Sequence, residues 1–103
     1  MHHAIQNELL SIMKEMVLKI IGTEVKEAEN FAVLADETRD AGKKEQLSVV
    51  VRYFHNDMIK ERFLGFQSCA SLNSESLLQY VKKLLSECRI NIENCVAQTY
   101  DGA

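Results

Sequence analysis

Residues Phe31-Ala32-Val33-Leu34-Ala35 form an uninterrupted apolar run that ends on a carboxylate, Asp36. A run this short is below helix length, and its lack of polar alternation suits a central strand covered on both faces. The small Ala32 and Ala35 would let a helix pack close. A second segment of the same kind, Cys95-Val96-Ala97-Gln98-Thr99-Tyr100, runs into Asp101. Two strands that each end on an aspartate, with a hairpin and a helix between them, restrict the fold more than any other feature of the chain.

The elements around these strands follow from periodicity. Ile5, Leu9, Ile12, Met16 and Ile20 recur at steps of three and four and are joined by Leu10, Met13, Val17 and Ile21, while Glu8, Ser11, Glu15 and Lys19 take the other side. This predicts a one-sided helix from Ala4 to Ile21, stopped by Gly22 and packed on the core, with Thr23 to Asn30 a polar stretch that opens on a short turn capped by Thr23. The same broad face could instead serve a coiled-coil or dimer partner.

Glu37 to Lys44 reads as a charged turn around Gly42. Gln46 to His55 alternates as a strand, with Leu47, Val49, Val51 and Tyr53 on one face. Asn56-Asp57 then turns the chain into a second strand, Met58 to Cys69, that carries Ile59, Glu61, Phe63 and Gly65 on one side. Ser71 to Glu75 opens a helix, capped by Asn73 or Ser74, whose core line is Leu77, Val81, Leu84 and Cys88; Asn91 and Asn94 break it. That helix is long enough to cross over and lay the last strand parallel to an earlier one. With the last strand beside the first, the chain is an α/β fold with a four-stranded mixed sheet in the order 3-2-1-4.

Composition narrows the function classes. A hydrophobic share of 47% with 26% charged residues and four glycines is that of a folded domain, and 103 residues suit one core or part of a larger one. Twelve basic and fifteen acidic residues give a net charge of -3 with no basic tract, so contact with DNA would come through other segments or a bound metal. Cys69, Cys88 and Cys95 lack CxxC spacing, which argues against a disulfide scaffold or thiolate zinc site and fits three small apolar fillers in a reducing compartment. Charges at Glu8, Lys14, Glu15 and Lys19 interrupt the first helix, so it is neither a signal-peptide core nor a membrane span. His2 and His3 belong to a frayed terminus rather than a metal site.

In the 3-2-1-4 order Asp36 and Asp101 end parallel neighbouring strands, and ligand sites of open α/β sheets lie beyond such ends. Two carboxylates within roughly 5 Å repel by about 3 kcal/mol at an effective dielectric near 20. Mg²⁺ or Mn²⁺ relieves that repulsion with the hard oxygen ligands it prefers, and such clusters support two-metal phosphoryl transfer. The plainer account makes both residues polar strand ends. Glu37 and Asp40 add charge beside Asp36 and are candidate accessories to a metal's water shell, or solvated turn residues. A hydrolase built from Cys69, His55 and Asp36 lacks a nucleophile-elbow sequence.

The stretch from Phe31 through Asp36-Glu37-Thr38-Arg39-Asp40, followed by Lys44 to Ser48 and Arg52-Tyr53, resembles the catalytic region of hAT-superfamily transposases. It is most similar to the domesticated branch in zinc-finger proteins of the MYM and THAP types. Phe63 to Phe66, Ser74 to Leu85 and the closing Tyr100-Asp101-Gly102-Ala103 extend the similarity over nearly everything from Glu24 onward. The resemblance implies a partial RNase H-like fold, with residues 1–30 an N-terminal helical segment and 31–103 the N-terminal part of the domain. It makes Asp36 and Asp101 the first two members of an acidic triad whose third member lies beyond a helical insertion further on. Arg39 departs from the small hydroxyl residue usual there, which places a large cation beside the site.

The resemblance further implies a nuclear, DNA-associated or regulatory protein whose DNA contacts and homodimer or other protein contacts belong to other segments. Three readings follow: a catalytic-core remnant with vestigial Asp36 and Asp101; an active metal-dependent nuclease or transposase, with Glu61 or Glu75 as the local substitutes for a third carboxylate; and an interaction module using the first helix and the sheet edge.

Overall fold

In the computed structural model, which describes residues 2–39, 45–68 and 74–101, the chain runs α1 (His2–Ala28), β1 (Phe31–Arg39), β2 (Glu45–His55), β3 (Met58–Ser68), α2 (Ser74–Glu87), a 3₁₀ turn (Ile92–Asn94) and β4 (Cys95–Asp101). The strands form one mixed sheet in the order β3-β2-β1-β4. β2 is antiparallel to both β1 and β3, and β1 pairs parallel with β4. The order expected from the sequence is the one observed, and the chain from Ser74 to Asn94 makes the connection that a parallel pair requires.

Alternation along β2 decides which side of the sheet is sealed. Leu47, Val49 and Val51 are 0% exposed and Tyr53 is 3%, and they meet Val33 and Ala35 of β1 on the same face. α1 adds Leu18, Ile21 and Val25 to this core; α2 adds Val81, Leu84, Leu85 and Cys88. Both helices therefore cover one face. On the other, Leu34 and Val50 are half-buried while Phe54, Ile59, Phe63 and Phe66 are exposed. β1 is thus central but, among the described residues, sealed on a single face, which corrects the expectation of cover on both.

The hairpin closes at Asn56 and Asp57 with φ values of 52° and 61°, the left-handed pair that a tight two-residue turn needs and that Asn and Asp tolerate best after glycine. Its ladder is not regular. Val50 pairs with Phe63 but Val49 with Gly65, so β3 carries an extra residue, Leu64. The bulge turns Leu64 and Gly65 toward the core, whereas strict alternation had put Gly65 beside Phe63. A Cβ on Gly65 would lie 3.1 Å from the Tyr80 hydroxyl and 3.2 Å from Leu84 of α2, so glycine lets the helix settle there.

α1 departs most from the sequence expectation. It continues through Gly22 and Thr23 to Ala28, where Glu29, at φ 71°, ends it and donates its N–H to the Val25 carbonyl at 3.0 Å. Gly22 is not a stop but a contact. A Cβ there would sit 2.0 Å from the Cys88 carbonyl oxygen at the end of α2. The face that docks is Leu18, Ile21, Gly22 and Val25. At 3.6 residues per turn this lies nearly opposite the stripe Ile5, Leu9, Ile12 and Met16, all of which stay exposed with Leu10, Met13, Val17 and Ile20. The expectation that this stripe packs on the core is overturned, because the positions turned toward the body in the first half of α1 include the polar Ser11 and Lys14.

α2 ends in a Schellman arrangement: the N–H of Ile90 donates to Leu85 O at 2.9 Å and that of Arg89, at φ 58°, to Ser86 O at 3.0 Å. The helix therefore stops at Glu87, before Asn91, whose side chain caps the 3₁₀ turn by accepting from Glu93 N–H. Asn73, one of the two residues expected to cap α2, lies outside the described residues, as does Cys69. Cys88 is buried, and burial pushes its thiol up to about 11, so it remains a protonated apolar filler at neutral pH. Among the described residues no helix is long and apolar enough to cross a membrane.

Candidate functional site

The two aspartates meet through the sheet register. β1 and β4 shift by one residue between Phe31 and Ala32 and then run in step, Ala35 opposite Tyr100 and Asp36 opposite Asp101. Neighbouring strands lie about 4.8 Å apart, so the two backbone positions are adjacent. Among the described residues this is the last parallel pair. β1, however, continues as an antiparallel ribbon with β2, through Glu37↔Leu47 and Thr38↔Gln46 to Arg39↔Glu45. The expected turn therefore does not begin at Glu37, because β2 starts early enough to hold three further residues of β1 in its ladder.

That extension settles the placement of the accessory candidate. Successive strand residues point to opposite faces. Asp36 shares its face with its register partner Ser48 and is exposed, while Glu37 shares its face with buried Leu47. Glu37 is therefore on the helix-covered side and Asp36 on the open side. Asp40 lies outside the described residues. The Ser48 hydroxyl donates to the backbone carbonyl of Asp36 at 3.3 Å, tying the strand end across to β2.

Of the local substitutes for a third carboxylate, one is engaged and the other stands exposed on a helix. Glu61 accepts from Nε of Arg52 at 2.8 Å and also pairs with Nη2 of Arg52, on the open face toward the far end of the hairpin. Glu75 is exposed in the first turn of α2. Among the described residues, no three His, Cys, Asp or Glu side chains come together in a way that could hold a metal ion. His55 ends β2 seven residues beyond Ser48, which puts it roughly 23 Å from the Asp36 end of the sheet at about 3.3 Å per residue. A Cys-His-Asp site using His55 and Asp36 is excluded by that separation.

A second polar cluster, which the sequence reading missed, joins α1 to the hairpin at the opposite end. Tyr53 donates its hydroxyl to Glu24 Oε1 at 2.6 Å, and Lys60 Nζ donates to Glu24 Oε2 at 3.0 Å. His55 Nε2 lies 2.5 Å from Glu27 Oε2, and His55 Nδ1 lies 3.2 Å from Lys60 Nζ. The hydrogen bonds from Tyr53 and then Lys60 hold the Glu24 carboxyl below its ordinary range. Burial, followed by the bond to Glu24, pushes the Tyr53 hydroxyl up to about 12. The residues come from three elements far apart in sequence, so no spacing announces them. The signal that could have found them is the alternation of β3, which places Lys60 and Arg62 on the same side as Leu64.

With the sheet order and the Asp36–Asp101 register in hand, the chain can be compared with known families: a family model described as DUF4371: ZMYM1/FAM200, RNase-like domain, matches residues 1–103.

Proposed function

This chain belongs to the DUF4371 family, the ZMYM1/FAM200 RNase-like domain, and on that premise we propose that it is a transposase-derived RNase H-like framework of hAT descent. In this reading the chain does not catalyse by itself and serves a nuclear, DNA-associated or regulatory protein. The observation that carries it is the pairing of Asp36 with Asp101, the last pair described in the parallel register of β1 and β4. This is the place where open α/β sheets present ligand sites, and aspartate supplies the oxygen donors that Mg²⁺ or Mn²⁺ takes. Asp36 and Asp101 would hold the cation, which would supply a Lewis acid beside the sheet end. The protein's own part is to hold two acidic positions at the spacing of one hydrogen-bonded strand pair. Two carboxylates are fewer than two-metal chemistry uses, which is why catalysis is not assigned to the chain.

Titrating an isotope-labelled sample with Mn²⁺ tests this. Line broadening should concentrate around Asp36 and Asp101, and Asp36→Asn should weaken the response by roughly 10-fold or more, since even outer-shell partners of metal ligands are worth that much. An unchanged spectrum would remove the metal-site reading. Metal-dependent nuclease activity by this chain, abolished in Asp101→Asn, would overturn the assignment as non-catalytic.

The outward stripe of α1 favours a second reading, a protein-interaction or dimerisation module. Exposed apolar surface at helical spacing is costly unless a partner covers it. Making Leu9 and Met16 polar should abolish any self-association detected by sedimentation while leaving the metal response intact. Loss of the metal response in that variant would instead tie α1 to the sheet end.

A further inference from the structure

We propose that His55 operates a proton-driven exchange of the ionic anchor tying α1 to the sheet. With the imidazole neutral, Glu24 is held by Lys60 of β3; protonation hands Glu24 to His55 of β2 and releases Lys60.

The hydrogen-bond inventory fixes the starting state. An ammonium group only donates. With Lys60 Nζ 3.2 Å from Nδ1, that ring nitrogen presents its lone pair, so the proton sits on Nε2 and is donated to Glu27 Oε2 at 2.5 Å. Lys60 thus has two acceptors, Glu24 Oε2 at 3.0 Å and the imidazole. When a solvent proton adds to Nδ1, the acceptor becomes a donor that faces a cation. Glu24 Oε2, the atom Lys60 uses, lies 3.9 Å from Nδ1, and the new imidazolium repels the ammonium 3.2 Å from that nitrogen. Tyr53 keeps Glu24 Oε1 throughout.

Of the other charged groups around the cluster, the Glu27 carboxylate is engaged by His55 Nε2. From α1, Lys19 lines the same depression as His55 together with Glu24 and Glu27. From β3, Arg62 lies against the Tyr53 hydroxyl. Both are cations, so neither offers Lys60 an acceptor. The side chains of His55 and Lys60 are only 10% and 15% exposed, so the ammonium is held in the cluster rather than hydrated. Solvent protons reach the ring through the depression between Lys19, Thr23 and Glu27. The exchange moves the ionic anchor of α1 from the edge strand β3 to the inner strand β2, and leaves the first half of β3 without its tie through Lys60 to α1.

Nitrogen NMR of the labelled, intact chain tests the exchange. With the imidazole neutral, the His55 ring should show the Nε2–H tautomer, and the Lys60 ammonium should give a resolved signal. Through His55 protonation that signal should disappear. Ordinary ammonium exchange slows in acid, so disappearance reports release. In His55→Gln, whose amide oxygen accepts without titrating, the Lys60 signal should survive acidification. An Nδ1–H tautomer, a Lys60 signal missing at the start or sharpening through the titration, or its loss in His55→Gln as well, would each overturn the proposal. The wild-type measurement decides the matter even if the variant does not fold.

Discussion

Replacing Gly22 with alanine is expected to destabilise the chain by about 2 kcal/mol or more, against the direction that helix propensity gives. In a helix interior, exchange of glycine for alanine contributes roughly 1 kcal/mol of stability. Here the added methyl would lie 2.0 Å from the Cys88 carbonyl oxygen. That oxygen is backbone, and α2 is locked on either side of it by the bonds of Arg89 to Ser86 and Ile90 to Leu85. Relief requires α1 to back away from α2, which opens the packing of Leu18, Ile21 and Val25. Urea unfolding measures the effect as a lower midpoint at similar slope. A midpoint equal to or above that of the parent would show that the two helices do not meet at this position.

Phe31→Ala should cost about 3 to 5 kcal/mol, a large part of the 5 to 15 kcal/mol that typically separates a folded domain from its unfolded chain. Phe31 is 2% exposed, among the largest fully buried side chains, and it opens β1 opposite Tyr53 on one side and Cys95 on the other. The parallel pairing with β4 also begins here, at the register shift between Phe31 and Ala32. Removing the ring therefore empties the core where the last strand joins. Phe54→Ala, on the open face, supplies the contrast and should change stability by no more than about 0.5 kcal/mol. Thermal melting of the two variants checks both figures. Equal losses would mean that the sheet is sealed on the other side.

The sheet was legible in the sequence because period-two alternation admits few alternatives. Leu47, Val49, Val51 and Tyr53 were expected on one face and are the most deeply buried set in it. The Asn56-Asp57 turn and the strand order were legible for the same reason: a tight turn needs residues that tolerate positive φ, and a crossover helix must return the chain parallel. What failed was direction rather than periodicity. Apolar residues surround so much of the first half of α1 that helical spacing could not say which side docks. The choice rests on one close approach at Gly22 and on Leu18 and Val25, which the stripe did not include. The bulge at Leu64 was hidden because one inserted residue reverses every later side chain of β3 without changing its composition. The pairing of Asp36 with Asp101 followed from topology, whereas the turn expected from Glu37 is strand as far as Arg39, because the length of β1 depends on where β2 begins.

The parallel contact between β1 and β4 also sets an order of events. The antiparallel ladders join segments that follow one another closely, so they close early in folding. β4 can pair only after the hairpin and α2 stand between it and β1, and long-range closure is slow and entropically expensive. All but one of the β4 residues whose burial is described are exposed. Few buried contacts make a segment the first to open in the native state. The two acidic positions therefore come together in the final step of assembly and separate in the earliest step of unfolding, so their juxtaposition gives a more sensitive readout of integrity than the core does.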